Sequence, residues 1–586
     1  MCGIFAYIGN KNNAAETILE GLKKLEYRGY DSWGIAIKKG GRIDIDKHIG
    51  KIGDAKTNLT PSNMGIGHTR WATHGGVTVQ NAHPHLDCKK QIAVLHNGII
   101  ENFAELKKEL INKGHHFISE TDTEVASHLI EENLKNVGFT TAVREAFDKF
   151  SGMNALVIMN ASSSEIIAVK NGSPLVVGLG KNEYFVASDA SGIIPHTRKV
   201  LFLEDQQMAI LNTGVKIISL SSGKTIKPQF SIIDWEIEEV ETGKFEHFMI
   251  KEIHEQPKVI RNIASNYDSQ IKLLCKIIST AKGTFFIGAG TASYACLLGA
   301  YLFSKIAKLH INTAPASEFN YLEDFLNKKS LIIAFSQSGE TIDVIEPLNH
   351  AKTKGVKIGA VTNVLGSTIY RLSDYKILLG AGPEKAVAST KAYIAKISLI
   401  LLLAYAIQGQ EKKGKILLGK AASEIERILS DKSLKNIKKI AKILSQHEHI
   451  YTIGRGASHP TSLEAALKIK EVSYIHAEGL AGGELKHGAI ALIREGTPCI
   501  VFAPLDETYE AIISNAIEIK SRGGLIIGIG PEKSDVFDYW IKVNDIGDAS
   551  VIPEVVPAQL LGYYLALEKR YDPDKPRNLA KSVTVK

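Results

Sequence analysis

Three strand–loop–helix units in the second half of the chain recur at an offset of about 166 to 168 residues, which points to a duplicated folding unit. In the first copy the apolar run Thr284–Ile287 meets Gly288-Ala289-Gly290 and a helical pattern over Tyr294–Ile306. Leu331–Phe335 leads into Ser336–Thr341 and another helix, and Ile358–Val361 is a third strand. In the second copy Ile450–Ile453 precedes Gly454-Arg455-Gly456-Ala457-Ser458 and a helix over Thr461–Val472. Cys499–Phe502 then precedes Ala503–Thr508, and Leu525–Ile529 mirrors Ile358–Val361. Strands alternating with long helices predict an α/β region made of two doubly wound parallel sheets.

The first 235 residues or so read differently. Short β-type runs (Met1–Ile8, Ile35–Ile37, Ile92–Leu95, Ala155–Met159) are separated by Gly and Asn turns, with helical patterns only at Ala14–Leu25, Asn102–Asn112 and Thr123–Leu134. This predicts a strand-rich, layered α+β domain. Trp235–Glu241 is acidic and irregular, and His247–Gln256 reads as a helix stopping before Pro257. The expected division is therefore 1–238, a linker over 239–256, the two copies over 257–420 and 421–570, and a tail over 571–586. A chain of 586 residues is long enough for several domains.

Bulk properties exclude several classes. With 44% hydrophobic and 23% charged residues the composition is that of an ordinary soluble protein. The net charge of +7, from 70 basic and 63 acidic residues, is too mild for a nucleic-acid binder, though it suits small anionic substrates. No signal peptide is read at the start. The longest apolar run, Ile397–Ile407, is about half of the ~20 residues a membrane span needs, so it is expected as a buried core helix. A cytoplasmic protein without membrane or nucleic-acid partners is expected. Of the five cysteines, Cys88, Cys275, Cys296 and Cys499 lack CxxC spacing, which predicts buried or idle thiols and neither disulfides nor structural zinc.

Cys2 stands apart because trimming of Met1 would leave it at the N-terminus. An N-terminal cysteine carries nucleophile and base together: the amine titrates near ~7.7–8.0 and the thiol near ~8.5, so moving the proton between them costs about 1 kcal/mol. The segments around it are Cys2-Gly3-Ile4-Phe5-Ala6-Tyr7, Leu25-Glu26-Tyr27-Arg28-Gly29-Tyr30-Asp31-Ser32, Gly67-His68-Thr69-Arg70-Trp71-Ala72-Thr73-His74-Gly75, His96-Asn97-Gly98 and Glu120-Thr121-Asp122-Thr123-Glu124. Together they resemble the Ntn-type glutaminase domain, which implies an αββα layered fold. The resemblance implies that Cys2 attacks the glutamine amide and that Asn97 and the Gly98 amide hold the oxyanion, one such donor being worth ~3–4 kcal/mol. It makes Arg70 the partner of the glutamine carboxylate, Asp122 that of its ammonium, Thr73, His74 and Gly75 the glutamine loop, and Trp71 a gate on an ammonia passage. Spacing alone leaves other readings open: a hairpin turn at Asn97-Gly98, a surface ion pair for Arg70, a helix N-cap for Asp122 and a core position for Trp71. His74, His83 and His85 lack carboxylate or Cys partners at ligand-like helical spacing, so no metal is expected there.

In the duplicated half, Ser336-Gln337-Ser338-Gly339-Glu340-Thr341 joins a strand to a helix, where backbone N–H groups bind phosphate well. An N-capped helix after a glycine turn is the plainer alternative. The equivalent loop, Ala503-Pro504-Leu505-Asp506-Glu507-Thr508, lacks both serines and carries an acid that would repel phosphate, so one copy is expected to bind phosphate. The pair of units resembles the tandem sugar isomerase (SIS) arrangement. Val387-Ala388-Ser389-Thr390-Lys391, Ala466-Leu467-Lys468-Ile469-Lys470-Glu471, Gly483-Glu484-Leu485-Lys486-His487-Gly488 and the tail from Pro576 to Val585 carry that likeness.

With the first domain included, the chain is similar to the glutamine–fructose-6-phosphate aminotransferase (isomerising) family over essentially its whole length. The resemblance implies transfer of glutamine nitrogen to fructose 6-phosphate without a cofactor, the sugar phosphate being held by Thr291, Ser336, Gln337, Ser338, Thr341, Val387, Ser389 and Ala580. It implies that Lys581 forms an imine with C2, His487 opens the ring from a partner subunit in a homodimer, and Glu471 shuttles the proton with help from Lys468. Read alone, Glu464, Lys468 and Glu471 are an ion-paired helix face, His487 a surface histidine and Lys581 a tail lysine. Ala292 departs from the family pattern in the slot of a sugar-contacting serine, so a hydrogen bond of ~1 kcal/mol is missing or falls to Ser293. Trp33 replaces a small residue. The competing readings are amination of another ketose phosphate, a phosphoribosyl diphosphate site, for which the hydrophobic-acidic signature is absent, and a non-catalytic sugar-phosphate sensor.

Overall fold

The computed structural model describes residues 2–233 and 241–583, so most of the acidic Trp235–Glu241 stretch lies outside the described residues. The chain forms two compact units, Met1–Val240 with Ala580–Lys586, and Glu241–Leu579.

The first unit is built on period-2 strands whose two faces are both covered. An eight-stranded antiparallel sheet runs in the order Ser231–Ile232, Lys199–Phe202, Val176–Leu179, Glu183–Ala187, Gly3–Gly9, Met64–Arg70, Ser32–Lys39, Arg42–Ile49. A seven-stranded antiparallel sheet runs Thr225–Ile226, Val215–Ser219, Gln207–Leu211, Ile166–Asn171, Asn154–Asn160, Ile92–Gly98, His85–Leu86. Alternate residues of one strand face opposite ways. Ile4, Ala6 and Ile8 meet Leu95, Ala155 and Val157 between the sheets. Phe5 and Tyr7 face outward onto Ile18 and Leu22 of the helix Ala14–Leu25. Val94, Leu156 and Ile158 of the second sheet pack on the helices Phe103–Asn112, Glu124–Asn133 and Phe139–Phe147. The result is the αββα layering, with each fully buried aliphatic contributing about 1.5–3 kcal/mol. Trp33, unexplained by sequence, fills the outer layer of the first sheet, 3% exposed and stacked on His48 at 4.4 Å.

The second unit contains the two copies. One five-stranded parallel sheet runs Asn312–Pro315, Thr284–Gly288, Leu331–Ser336, Lys357–Thr362, Tyr375–Leu378, and the other His476–Ala481, His449–Gly454, Pro498–Phe502, Leu525–Gly530, Tyr539–Lys542. In both, the first strand of the copy lies between the second and third. That order creates a switch point, beyond whose carboxyl ends doubly wound folds bind ligands. The first helix of each copy starts earlier than its sequence pattern, at Thr291 and at Ser458, because Gly290 and Gly456 (φ +53° each) turn the backbone sharply after the strand.

Two sequence expectations need correction. The helix expected to stop before Pro257 runs on as Phe248–Asn266, with Pro257 inside it. Met249, Ile253, Ile260 and Ile263 are core residues on that helix, and their burial outweighs the single backbone hydrogen bond that proline forfeits. Residues 248–256 thus belong to the second unit's core. The Ile397–Ile407 run does lie in a core helix, Lys391–Ile407, buried from Lys391 through Tyr405. Among the described residues one segment, Gly547–Glu568, is long and apolar enough to cross a membrane, and 89% of an apolar 18-residue stretch of it is buried inside the protein.

Candidate active sites

In the first unit, strand Gly3–Gly9 lies between Met64–Arg70 and Glu183–Ala187, which fixes Cys2 at a strand end. The Trp71 N–H donates to Cys2 Sγ at 3.2 Å. The Cys2 carbonyl accepts from Asn97 Nδ2 at 3.0 Å, Arg28 Nε at 3.3 Å and Ser188 Oγ at 3.5 Å. The residue's backbone is therefore pinned while its thiol remains partly accessible. Asn97-Gly98 is no hairpin turn: both residues close the strand Ile92–Gly98, paired with Asn154–Asn160.

Asn97 is itself oriented from behind. Buried His68 presents Nε2 to Asn97 Oδ1 and to the His96 carbonyl, each at 3.1 Å. Burial lowers the His68 pKa to about 3, so the ring is neutral with one proton to give. A proton on Nε2 makes Asn97 Oδ1 the acceptor and turns the amide Nδ2 toward Cys2.

Gly98 has φ +131°, and a Cβ there would sit 2.1 Å from the Met153 carbonyl oxygen. Gly98→Ala is therefore expected to push the strand end outward by tenths of an ångström or more. If the Gly98 amide serves the oxyanion, glutamine turnover should fall about 10²–10³-fold, in line with loss of one such donor. Binding of sugar phosphate, measured by calorimetry, should not change.

Arg70 is neither exposed nor in a surface ion pair. It is 3% exposed and donates to the carbonyls of Gly76 (3.0 Å), Gly75 (3.1 Å) and His74. Its guanidinium thus holds the loop that carries exposed Thr73 and half-buried His74, whose ring meets Phe103 edge-on at 5.3 Å. Gly75 (φ +77°) has no room for a Cβ, which would lie 2.8 Å from Asn81 Nδ2. Trp71 is half-buried with its ring edge-on to Tyr30 at 5.6 Å, not a core residue. Asp122 accepts from the Ile100 N–H at 2.8 Å, bracing the turn after Gly98, while the following helix has Thr123 at its N-cap.

Sequence reasoning missed the groups that hold this loop. Asn81 Nδ2 donates to Glu120 Oε2 at 2.8 Å, the Glu120 N–H returns to Asn81 Oδ1 at 2.9 Å, and the Gly76 N–H meets Glu120 Oε2 at 3.1 Å. The Glu120-Thr121-Asp122 run flagged the region, but Asn81, thirty-nine residues away, carried no signal. Asp31 similarly accepts from the Ala72 N–H at 2.9 Å.

In the second unit, Ser336–Thr341 lies between the strand Leu331–Ser336 and the helix Ile342–Thr353. Gly339 (φ +66°) donates its N–H to Ser336 Oγ at 2.9 Å, and a Cβ on it would strike Ser367 Oγ at 2.0 Å. Glu340 does not oppose an anion here. Its carboxylate turns away and accepts from Thr368 N (2.9 Å) and Thr368 Oγ1 (2.7 Å). The Thr341 side chain makes no capping bond to its helix, so the plainer N-cap reading is not what the loop does. In the second copy Asp506 Oδ1 accepts from Thr508 N at 2.8 Å and Thr508 Oγ1 at 2.6 Å, so the equivalent turn carries a carboxylate on its own backbone N–H and hydroxyl. The backbone at Val387 donates to the Asp574 carbonyl at 3.0 Å, and Ser389 Oγ donates to Glu384 Oε2 at 3.0 Å.

The ion-paired face of the helix Ser458–Ser473 is not solvated, contrary to the plain reading of its spacing. Lys468 and Glu464 are 0% exposed. Lys468 Nζ contacts Glu471 Oε2 at 2.5 Å, Thr291 Oγ1 at 3.0 Å and Glu464 Oε1 at 3.5 Å. Thr291, at the head of the first copy's helix, donates to Glu464 Oε1 at 3.3 Å and so joins the two copies. One buried ammonium faces two carboxylates. Desolvation first, and the charge of Glu471, push the Glu464 pKa to about 7, while the two acids outweigh desolvation and keep Lys468 protonated, raised to about 12. Ala292 is 7% exposed and packs against Gly288, whose missing Cβ would lie 2.9 Å from its own. His487 is exposed in a short turn, Leu485–His487. Ala580 and Lys581 are half-buried in the tail segment grouped with the first unit.

Glu554 is a second buried acid, bonded by Ser458 Oγ at 3.0 and 2.9 Å and raised to about 8 by desolvation. A carboxyl that holds its proton more tightly when folded lends stability that is full below its ordinary pKa and lost as pH rises through the folded value. Glu554→Gln is therefore expected to flatten the fall in melting temperature between pH 5 and pH 8, as followed by calorimetry.

Comparison with known proteins fits both geometries. Residues 68–195 match the family model for a glutamine amidotransferase domain, and residues 277–406 and 443–536 match that of the SIS domain. A curated relative from Pyrococcus horikoshii, named glutamine–fructose-6-phosphate aminotransferase [isomerizing], is 44% identical over 607 residues, covering 100% of both chains. The chain belongs to this aminotransferase family. A relative of the same name from Methanothermobacter thermautotrophicus is 41% identical over 599 residues, again across both whole chains. Among solved structures, the C-terminal domain of glucosamine-fructose-6-phosphate aminotransferase from Francisella tularensis matches 57% of this chain and 99% of its own, at 30% identity and a TM-score of 0.53. In aminotransferase terms, the first unit is the glutaminase half and the second the SIS pair.

Proposed function

We propose that this chain transfers the amide nitrogen of L-glutamine to D-fructose 6-phosphate and isomerises the product, yielding D-glucosamine 6-phosphate and L-glutamate in the cytoplasm. The observation that carries the reading is Cys2, its carbonyl pinned by Asn97 and its thiol against the Trp71 N–H, in a chain that belongs to the aminotransferase family along its full length.

In this reading the freed α-amine takes the Cys2 proton and the thiolate attacks the amide carbon. Asn97 and the Gly98 N–H stabilise the oxyanion, ammonia leaves, and water hydrolyses the thioester to glutamate. Arg70 and Asp122 receive the two ends of glutamine, with Thr73, His74 and Gly75 closing over it and Trp71 gating release. The sugar phosphate occupies the Ser336–Thr341 turn, helped by Thr291, Val387, Ser389 and Ala580. Lys581 forms an imine at C2 that ammonia displaces, His487 from the partner subunit of a homodimer opens the ring, and Glu471 moves one proton from C1 to C2 with Lys468 beside it. Carbon at C2 is reduced as C1 is oxidised, so no cofactor is consumed. Glutamine with a panel of ketose phosphates tests this. Amino-sugar formation with fructose 6-phosphate preferred is expected, whereas glutamate release with no amino sugar from any of them would refute it.

A further inference from the structure

We infer that the glutaminase half carries a structural zinc site made by Cys88, His115, His128 and Glu131. Their ligand atoms lie within 4.8 Å of one another. Cys88 Sγ is 3.7 Å from His115 Nδ1 and 3.5 Å from His128 Nδ1. Glu131 Oε2 is 3.2 Å from His115 Nδ1 and 3.6 Å from His128 Nδ1. Zinc at ~2.0–2.1 Å from nitrogen and ~2.3 Å from sulfur in a tetrahedron sets donor–donor edges of about 3.3–3.6 Å, and the four measured edges, 3.2–3.7 Å, lie within about 0.1 Å of that span.

The surroundings of the two imidazoles suit a cation as well. The far ring nitrogens face carboxylates: His115 Nε2 meets Glu132 Oε2 at 3.1 Å, and His128 Nε2 meets Glu124 Oε1 at 3.5 Å. Both Nδ1 atoms converge with a sulfur and a carboxylate oxygen, four atoms able to ligate one cation. The outer carboxylates are the partners that orient ligating histidines and raise their basicity. The Cys88 N–H donates to Glu131 Oε2 at 3.2 Å and the His116 N–H to Cys88 Sγ at 3.5 Å, which further fixes the donors. Thiolate and carboxylate balance the charge of Zn²⁺. Three ligands are buried and all four positions are filled by protein, the pattern of a structural rather than a catalytic site.

The site ties together the turn after His85–Leu86, the end of the helix Phe103–Asn112 and the helix Glu124–Asn133. Asp122 and Glu120 lie between His115 and His128, so the metal would steady the segment that braces the glutamine loop. Sequence spacing hid it, because only His128 and Glu131 share a helix. The full chain, purified without a metal-binding tag in zinc-supplemented medium, is expected to hold one zinc per chain by plasma mass spectrometry. Zinc content should fall about tenfold or more in Cys88→Ser and in His128→Asn but not in Cys275→Ser. Exchange of Co²⁺ into the unaltered chain should give a thiolate-to-cobalt charge-transfer band that Cys88→Ser lacks. Absence of zinc from the unaltered chain together with no thiolate–cobalt band, or full metal retention by Cys88→Ser, overturns the inference.

Discussion

Cys2→Ala is expected to abolish glutamate release from glutamine, lowering turnover by about 10⁴-fold or more, as removal of a covalent nucleophile does. The substitution deletes one sulfur and leaves the scaffold around it in place. The carbonyl contacts from Asn97, Arg28 and Ser188, and the strand pairing of Gly3 and Ile4, involve backbone or other side chains. Calorimetric binding of fructose 6-phosphate should be unchanged, since the Ser336–Thr341 turn belongs to the second unit. Ammonium salts should restore some amino-sugar formation to the variant. Persisting glutaminase activity would remove Cys2 from the nucleophile's role, and parallel loss of sugar binding would show that the variant is misfolded.

The second large effect belongs to Lys468→Met. Lys468 is 0% exposed and is the cation facing Glu464 and Glu471. Breaking a buried pair by removing one partner costs about 3–5 kcal/mol, because the charge left behind has no water to replace it. Without the ammonium, Glu464 and Glu471 repel each other and one must hold a proton at neutral pH. Its proton would no longer be free to shuttle. The variant is therefore expected to lose both stability, seen as a lower urea midpoint, and sugar isomerisation. Pairing Lys468→Met with Glu464→Gln should recover much of the stability and none of the isomerisation. A double variant no more stable than Lys468→Met alone would show that Glu464 is protonated and uncoupled from the lysine.

How far the sequence could be read depended on the range of the interactions. The helix Ala14–Leu25 was readable to the residue, because its apolar spacing is local and Leu25 ends it before the turn at Glu26. The two parallel sheets followed from repeated strand–glycine–helix chemistry, confirmed by identical strand order in the two copies. Pro257 misled, because burial of Ile253 and Ile260 on its helix is a tertiary term that local propensity does not contain. The helix Phe139–Phe147 escaped notice altogether. At the candidate glutaminase site the short runs around Cys2, Arg70 and Asn97 were visible. Their supports, Asn81 on Glu120 and His68 on Asn97, join distant segments and became visible only in three dimensions. The burial of Lys468 was equally illegible, since i,i+3 and i,i+4 charges on a helix look the same in water and in a core.

The most direct measurement of the central claim follows the nitrogen. The full chain is given fructose 6-phosphate and glutamine labelled with ¹⁵N in its amide, in the presence of excess unlabelled ammonium at neutral pH, and the amino sugar is weighed by mass spectrometry. Product carrying the label, with little dilution from bulk ammonium, is the predicted result. Unlabelled amino sugar, or labelled ammonium accumulating with no amino sugar, would contradict it.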